Sequence, residues 1–150
     1  MTVEVVAVTD PQGAVTNAEL LACAQSVHRQ LRPQLPSDYV ARMKVVFAGG
    51  GRMAVATVGG RVAGITVYRI LEKTFTGREL YCDDLVTDEK QRSTGVGHAL
   101  IAYMERVAKE DGCDAFTLDS GTQREQAHKF YFREGMTVTA YHFTMKRKTR

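Results

Sequence analysis

The stretch from Gln91 to Gly97 places two glycines, Gly95 and Gly97, between an apolar strand-like run and a strongly helical segment. Glycines at this spacing let the backbone turn tightly and bring its N–H groups close to a ligand. The residues that follow, 98–109, predict a helix whose first turn begins at those glycines. Because a helix N-terminus has unpaired amides and the positive end of the dipole, this position suits an anion, above all a phosphate or pyrophosphate.

The glycine spacing by itself also fits a plain turn that starts a helix. No third glycine follows Gly97 at the offset of the dinucleotide-binding pattern Gly-x-Gly-x-x-Gly, and the spacing is not that of a phosphate loop. The rest of the chain therefore has to decide between a ligand loop and a simple turn.

Length and charge narrow the class of protein. A chain of 150 residues with net charge +3 predicts one domain, residues 1–150, with a sizeable core. The basic residues at the end, 146–150, predict a solvated tail, so no nucleic-acid partner is expected. No apolar run approaches the length of a membrane span, and no membrane partner is expected.

The cysteines and histidines indicate a protein of the reducing cytoplasm without a metal site. Cys23, Cys82 and Cys113 are odd in number and far apart, which argues against disulfides and zinc. The four histidines (His28, His98, His128 and His142) do not have metal-ligand spacing. We expect no metal cofactor, and a cytoplasmic location.

Hydrophobic periodicity and turn residues predict the element order β-α-α-β-β-β-α-β-α-β. The Gly59-Gly60 pair between two β-rich runs predicts a hairpin. A hairpin core followed by strand–helix–strand predicts an α/β fold with a mixed sheet covered by helices. The predicted elements are strand 3–8, helix 16–31, helix 39–47, strands 53–58, 62–71 and 80–86, helix 98–109, strand 113–118, helix 124–134 and strand 137–145.

Two motifs in the region 80–136 resemble those of the Gcn5-related N-acetyltransferase (GNAT) superfamily. The family pattern Gln/Arg-x-x-Gly-x-Gly/Ala is matched by Arg92, Gly95 and Gly97. The pattern Ala-x-x-apolar-Tyr-x-x-x-Gly-Phe is matched in the following helix, with Met in the Phe position (Ala127, Phe130, Tyr131, Gly135 and Met136). The element order also agrees with that family across nearly the whole chain, so the resemblance implies its acyl-CoA acyltransferase fold.

The resemblance implies acetyl-CoA as the acetyl donor and an amine as the acceptor. The backbone amides of the glycine loop would then wrap the pyrophosphate, and Arg92 would add a charged contact or remain a solvated loop residue. The free backbone groups of the preceding strand would pair with the pantetheine arm, as a peptide does in β-augmentation. The residues expected to bind the coenzyme are Leu85, Val86, Thr87, Arg92, Ser93, Thr94, Gly95, Val96, Gly97 and His98.

Three side chains are the candidates for catalysis. Tyr131 is expected to protonate the leaving thiolate, since a phenol is protonated at neutral pH, unless it only packs on its helix. Asp83 and Asp84 resemble the acidic pair of polyamine and thialysine acetyltransferases, and one of them would accept the proton of the incoming ammonium. Neighbours on a strand point to opposite faces, so only a bulge lets both face the substrate. Glu79 is a weaker alternative.

The expected function is therefore direct acetyl transfer to a primary amine, with a small cationic amine favoured by the acidic pair. The alternative is a non-catalytic module that senses acyl-CoA. A two-step route through Cys82 departs from the family's usual course. Arg124 stands where many members have an Asn that contacts the coenzyme, and a homodimer is possible because family members often pair through their C-terminal strands.

Overall fold

A five-stranded sheet forms the centre of the computed structural model, which describes residues 2–147. The strands lie in chain order; β1 to β4 are antiparallel, and β5 pairs parallel to β4. This confirms the predicted mixed α/β fold. The strands are β1 (Val3–Ala7), β2 (Arg52–Val58), β3 (Arg61–Lys73), β4 (Gly77–Thr87) and β5 (Ala115–Leu118). The helices are α1 (Ala18–Cys23), α2 (Gln25–Leu31), α3 (Tyr39–Ala48), α4 (Val96–Glu110) and α5 (Glu125–Arg133).

The chain divides into two compact units between Leu118 and Asp119. The first unit contains all five strands and the helices α1 to α4. The second contains α5 and the segment that follows it.

Helices cover the two faces of the sheet in the first unit. Ile65 and Val67 of β3 belong to the buried core that includes residues of α1, α2 and α3. The alternate β3 residues meet α4 instead: the hydroxyl of Thr66 lies 3.1 Å from the Met104 sulfur. Because successive side chains of a strand point to opposite faces, the sheet separates the helices α1–α3 from α4.

Gly64 allows α4 to begin close against the sheet. A Cβ at this position would lie 2.5 Å from the Val96 Cγ1 atom and 3.0 Å from the Val86 carbonyl oxygen. Any side chain at this position would therefore push the first turn of α4 away from β3.

The predicted first helix is two helices that meet at Ala24. The Ala24 amide donates to the carbonyls of both Leu20 and Leu21, at 3.0 and 3.3 Å, which tightens the turn between α1 and α2. The other predicted helices and strands up to residue 134 lie where the sequence placed them, with ends shifted by a few residues.

The predicted last strand, 137–145, is absent: residues 136–147 form neither helix nor strand. Its threonines, valine and aromatic residues have strand propensity, but propensity reflects packing on a pleated, half-buried surface. Phe143 is 91 % exposed and Val138 is 72 % exposed, so this segment lacks the buried face that would stabilise a strand. The last residues of the predicted basic tail, 148–150, lie outside the described residues.

Candidate active site

The glycine loop connects the end of β4 to the start of α4 through a short 3-10 helix, Glu89–Gln91. Asp88 caps this short helix, because its side chain accepts from the Lys90 amide at 3.2 Å. Ser93 has a φ of 65°, and Gly95 has a φ of 88°. Two left-handed residues so close together turn the chain sharply into α4, which begins at Val96.

The N-terminus of α4 has the features of an anion site. Gly95 is its N-cap residue, and no side chain caps the helix. The loop from Arg92 to Gly95 is exposed, and the Thr94 hydroxyl donates to the Gln91 carbonyl at its base. The first turn of a helix has amides without intrahelical acceptors, so Val96 and Gly97 can direct theirs towards a ligand.

The end of β4 has one open edge. On one side β4 pairs with β3 as far as Thr87, which lies opposite Gly64. On the other side β5 pairs only with residues 79–82 of β4. Leu85, Val86 and Thr87 therefore have no strand paired with them on that side within the described chain. An unpaired strand edge is the kind of surface with which an extended ligand can form backbone hydrogen bonds.

A β-bulge at Asp83 brings both carboxylates to one side of the sheet. Val67 of β3 lies opposite Asp84, but the next residue, Tyr68, lies opposite Cys82. Asp83 is thus the extra residue of β4, and the usual alternation is interrupted there. Asp83 and Asp84 both line one pocket of about 300 Å³, as only a bulge would allow.

The pocket lies between α2, α3 and the centre of the sheet. Its wall combines charged side chains with apolar ones from α3 and the core. The charged and polar lining residues are His28, Arg32, Gln34, Arg42, Arg69, Asp83 and Asp84; the apolar ones are Leu35, Met43, Val46 and Val67.

Asp83 is held by Arg69 of β3. The Arg69 Nε atom donates to both carboxylate oxygens, at 3.1 and 3.0 Å, and the Nη2 atom also donates to Oδ2. The same guanidinium donates to the Gly49 carbonyl at 3.3 Å, which ties it to the end of α3. The Asp83 side chain nevertheless remains 22 % exposed.

Asp84 is held by His28 of α2 and by Arg32, which directly follows that helix. The Arg32 Nε atom donates to Oδ1 at 2.9 Å, and the His28 Nε2 atom lies 2.7 Å from Oδ2. Burial raises the pKa of the Asp84 carboxyl, but the hydrogen bonds and charges of His28 and Arg32 outweigh it, and the pKa lies below its usual value. Asp84 is therefore ionised at neutral pH.

Both ring nitrogens of His28 have hydrogen-bond partners in this network. His28 is 1 % exposed, and its Nδ1 atom lies 2.8 Å from the Tyr39 hydroxyl. Burial and the nearby Asp84 charge raise the pKa of the Tyr39 phenol, so it stays protonated. An ionised carboxylate can only accept hydrogen bonds, so the Nε2 atom carries a hydrogen and donates to Asp84.

Two other candidates from the sequence lie away from the pocket wall. Glu79 is buried in the first half of β4 and pairs with Lys73, whose Nζ atom lies 2.6 Å from Oε2. Cys82 is buried in the sheet, and burial raises the pKa of its thiol to about 12. A thiol that stays protonated is a poor nucleophile, which disfavours a route through an acyl-cysteine.

Tyr131 lies on α5 in the second unit. Its ring packs against that of Phe130, with centroids 5.5 Å apart, and its carbonyl accepts from the Met136 amide at 3.0 Å. Gly135, with a φ of 90°, ends the helix as the motif predicts. Arg124 immediately precedes α5, and its side chain does not cap the helix.

Sequence reasoning missed the cations and the phenol that hold the acidic pair. His28 lies on α2, Arg32 directly follows α2, and Tyr39 begins α3; all three precede the bulge by more than 40 residues. Arg69 lies on the neighbouring strand, β3. His28 sits beside Val27 on the buried face of α2, where a buried polar residue requires a partner. The only local signal in the sequence was a histidine beside the apolar Val27 of a predicted helix, and it did not identify the partner.

No group of three or more His, Cys, Asp or Glu side chains within residues 2–147 has the arrangement of a metal site. In the same range no helix is long and apolar enough to cross a bilayer. The cysteines are unpaired thiols, of which Cys23 is exposed and Cys82 buried.

Comparisons with known proteins agree with this fold. The family model described as "Acetyltransferase (GNAT) family" matches residues 18–136. An uncharacterized N-acetyltransferase of Bacillus subtilis (strain 168), YhdJ, is 28 % identical over 139 residues, which cover 86 % of this chain and 93 % of that protein. The aminoalkylphosphonate N-acetyltransferase of Salmonella typhimurium (strain LT2) is 33 % identical over 61 residues, 41 % of this chain and 40 % of that protein.

A solved structure has the same fold over its whole length. It is that of AAC(6')-Iy in complex with the bisubstrate analogue CoA-S-monomethyl-acetylneamine, with a TM-score of 0.80 and 16 % identity over 99 % of this chain and 100 % of that one. The family match and the related N-acetyltransferases identify the class of protein as an acetyl-CoA-dependent N-acetyltransferase. The chain belongs to the acetyltransferase (GNAT) family.

Proposed function

We propose that this enzyme transfers the acetyl group of acetyl-CoA directly to the primary amine of a small molecule. The amine nitrogen attacks the thioester carbonyl, a C–N bond forms, and the C–S bond breaks. The reacting group arrives as an ammonium cation, so one proton has to leave the nitrogen before attack and a second as the amide forms, while one proton has to reach the departing thiolate. The acceptor is cationic at the nitrogen that reacts.

The coenzyme is proposed to bind along β4 and the start of α4. Leu85, Val86 and Thr87 pair through their backbone with the pantetheine arm, and the open edge of β4 supports this assignment. The amides of residues 93–98 (Ser93, Thr94, Gly95, Val96, Gly97 and His98) bind the pyrophosphate, and Arg92 adds a charged contact. The uncapped helix start at Gly95 supports this part.

Asp83 or Asp84 is proposed to take the proton of the ammonium, directly or through a water. A carboxylate has about four acceptor sites. Arg69 fills three of those on Asp83, so capacity remains to orient a water or the amine. The bulge that turns both carboxylates into one pocket, next to the open edge of β4, is the observation that carries this proposal.

Tyr131 is proposed to protonate the thiolate. A phenol is protonated at neutral pH and donates readily to a sulfur anion. The position of Tyr131 on α5, followed by the helix-ending Gly135, matches the second family motif and supports the assignment.

The experiment is an acetylation screen. The purified protein is incubated with acetyl-CoA and a panel of amines, polyamines, amino acids and aminoglycosides, and release of free CoA thiol is followed with a thiol reagent. We expect release that depends on the acceptor and equals the acetylated amine formed. Binding of acetyl-CoA with no turnover on any amine would contradict the proposal and leave an acyl-CoA sensor.

We further propose that the two units together form one N-acetyltransferase domain, since the family match runs across their division. A cytoplasmic location agrees with the unpaired cysteines.

A homodimer is also proposed. Several large apolar side chains after α5 are exposed, and a protein that stays monomeric rarely keeps such a group in water (Val138, Tyr141, Phe143 and Met145).

A further inference from the structure

The pocket beside the bulge has more positive than negative charge. Three guanidiniums, those of Arg32, Arg42 and Arg69, line it together with two carboxylates. His28 adds no negative charge in either protonation state. The volume of the pocket, about 300 Å³, is at the small end for ligand sites, which favours a small acceptor.

Both carboxylates are already neutralised. The Arg69 guanidinium donates to both carboxylate oxygens of Asp83. Arg32 donates to the Asp84 carboxylate and, at 3.2 Å, to the Asp83 carbonyl. A second ammonium group on the acceptor would therefore find no unpaired carboxylate in this pocket. A purely cationic polyamine is poorly matched to it, because its remaining charges would face guanidiniums.

Arg42 is the guanidinium of the pocket that has no carboxylate partner among the described residues. It lies on α3, one residue before the buried Met43, and its side chain forms no ion pair or hydrogen bond with any residue that the structure describes. A guanidinium binds a carboxylate or a phosphonate through two parallel hydrogen bonds. An anionic group on the acceptor would supply the partner that the protein itself does not.

We propose that the acceptor is a small primary amine that also carries an anionic group, a carboxylate or a phosphonate, and that Arg42 binds this group. The inference rests on the proposed acetyl transfer at this pocket. Arg42 then acts as a specificity residue: it selects acceptors by the charge at the end opposite the amine.

A set of matched acceptors tests the charge preference. The four compounds are 3-aminopropanoate, 2-aminoethylphosphonate, 3-aminopropan-1-ol and 1,3-diaminopropane, which have similar length and differ in the charge of the distal group. CoA release gives kcat/KM for each, and calorimetric titration gives its affinity without requiring turnover. We expect at least one of the two anionic amines to exceed both the alcohol and the diamine by about tenfold or more, and their ranking separates carboxylate from phosphonate.

Two variants assign the preference to Arg42. In Arg42→Ala we expect the ratio of kcat/KM for the preferred anionic amine over that for the alcohol to fall about tenfold, and Arg42→Lys should recover part of it. Lys44→Ala removes an equal charge from an exposed site on the same helix that does not line the pocket, and it should keep the ratio within about twofold.

The outcomes separate this inference from the proposed function. Equal or better use and binding of the diamine or the alcohol, or an unchanged ratio in Arg42→Ala, would overturn the inference while acetyl transfer stands. Absence of CoA release with every amine would contradict the proposed transfer. In that case calorimetry still decides: loss of anionic-amine binding in Arg42→Ala supports the Arg42 site, and equal binding of all four compounds overturns it.

Discussion

At the scale of single residues, the acidic pair is a set of ion pairs as well as a candidate base. Arg69 pairs with Asp83, and Arg32 pairs with Asp84. The buried His28 also contacts Asp84, and the Tyr39 hydroxyl holds the His28 ring in place. Buried charges are costly unless they are paired and hydrogen-bonded, and here each is. The network therefore fixes the positions of the carboxylates in the pocket.

Asp84→Asn should destabilise the folded protein by about 3 kcal/mol at pH 7, because it leaves Arg32 and His28 without their carboxylate. The pKa of Asp84 lies lower in the folded than in the unfolded chain, so its ionised form stabilises the fold above about pH 4. That contribution is lost as the pH falls through the folded pKa. The difference between wild type and variant should then shrink at pH 3, as measured by urea unfolding.

The control for this pH effect is Glu4→Gln, an exposed carboxyl on β1. It should change the free energy of unfolding by less than about 0.5 kcal/mol at either pH. A difference between wild type and Asp84→Asn that stays constant from pH 7 to pH 3 would contradict the assigned network.

Tyr131→Phe should lower kcat by about a hundredfold, because general acid catalysis contributes that much or more. The dissociation constant of CoA, measured by calorimetry, should change little, since only a hydroxyl is removed. Tyr141→Phe removes a hydroxyl from a largely exposed ring and serves as the control. Full turnover by Tyr131→Phe under conditions where chemistry limits the rate would show that another group protonates the thiolate.

At the scale of elements, the site depends on two irregularities in regular structure. The bulge in β4 changes which face Asp83 occupies, and Gly64 in β3 permits the close approach of α4. Both are local departures from ideal strands next to the glycine loop. A strand of regular pleat with a side chain at position 64 would have neither the shared pocket nor the helix start in its present place.

Gly64→Ala should therefore affect both stability and coenzyme binding. The added Cβ would meet the Val96 and Leu100 side chains at 2.5 and 3.1 Å, so α4 has to move. We expect a loss of about 1–3 kcal/mol in the free energy of unfolding. The Kd of CoA should rise as well, because the amides at the start of α4 shift. Chemical denaturation and calorimetry measure the two effects.

Gly49→Ala is the matched control for that substitution, since Gly49 has a φ of −85° and its nearest contacts would be 3.5 Å away. It should change stability by no more than about 1 kcal/mol and leave the Kd of CoA unchanged. Equal effects of the two substitutions would mean that the close approach at Gly64 has no special role.

The elements that carried a local signal were predictable from the sequence. The glycine loop and its helix, the Gly59-Gly60 hairpin and the helix predicted over 39–47 are encoded by neighbouring residues, and the structure places each accordingly. The segment 137–145 was not predictable in this way. Its composition favours a strand, but strand formation depends on a partner edge that no local pattern specifies.

At the scale of the whole molecule, the site was half predictable. The proposed coenzyme site lies within a short stretch, 85–98, which includes a family motif. The proposed acceptor pocket brings together α2, α3, β3 and β4, so its charge depends on contacts between residues far apart in sequence. The acidic pair alone predicted a cationic acceptor, whereas the pocket also contains three arginines that no local sequence pattern connects with that pair.

The homodimer is a prediction at this scale. Wild-type protein should sediment at twice the monomer mass at micromolar concentration, because association would bury the apolar side chains that follow α5. The double variant Tyr141→Ser and Phe143→Ser should sediment as a monomer with its circular dichroism spectrum preserved. A monomeric wild-type protein at high micromolar concentration would contradict the dimer.

The backbone amides at the start of α4 are proposed to hold the pyrophosphate of the coenzyme. The most direct measurement is a ¹⁵N–¹H correlation spectrum of the amides during titration with CoA and, separately, with pantetheine, which lacks the pyrophosphate. We predict that CoA shifts the resonances of Ser93 to His98 and of Leu85 to Thr87, whereas pantetheine shifts only the second group. Binding of CoA that leaves the amides of Ser93 to His98 unshifted, or no binding at millimolar concentration, would contradict the account.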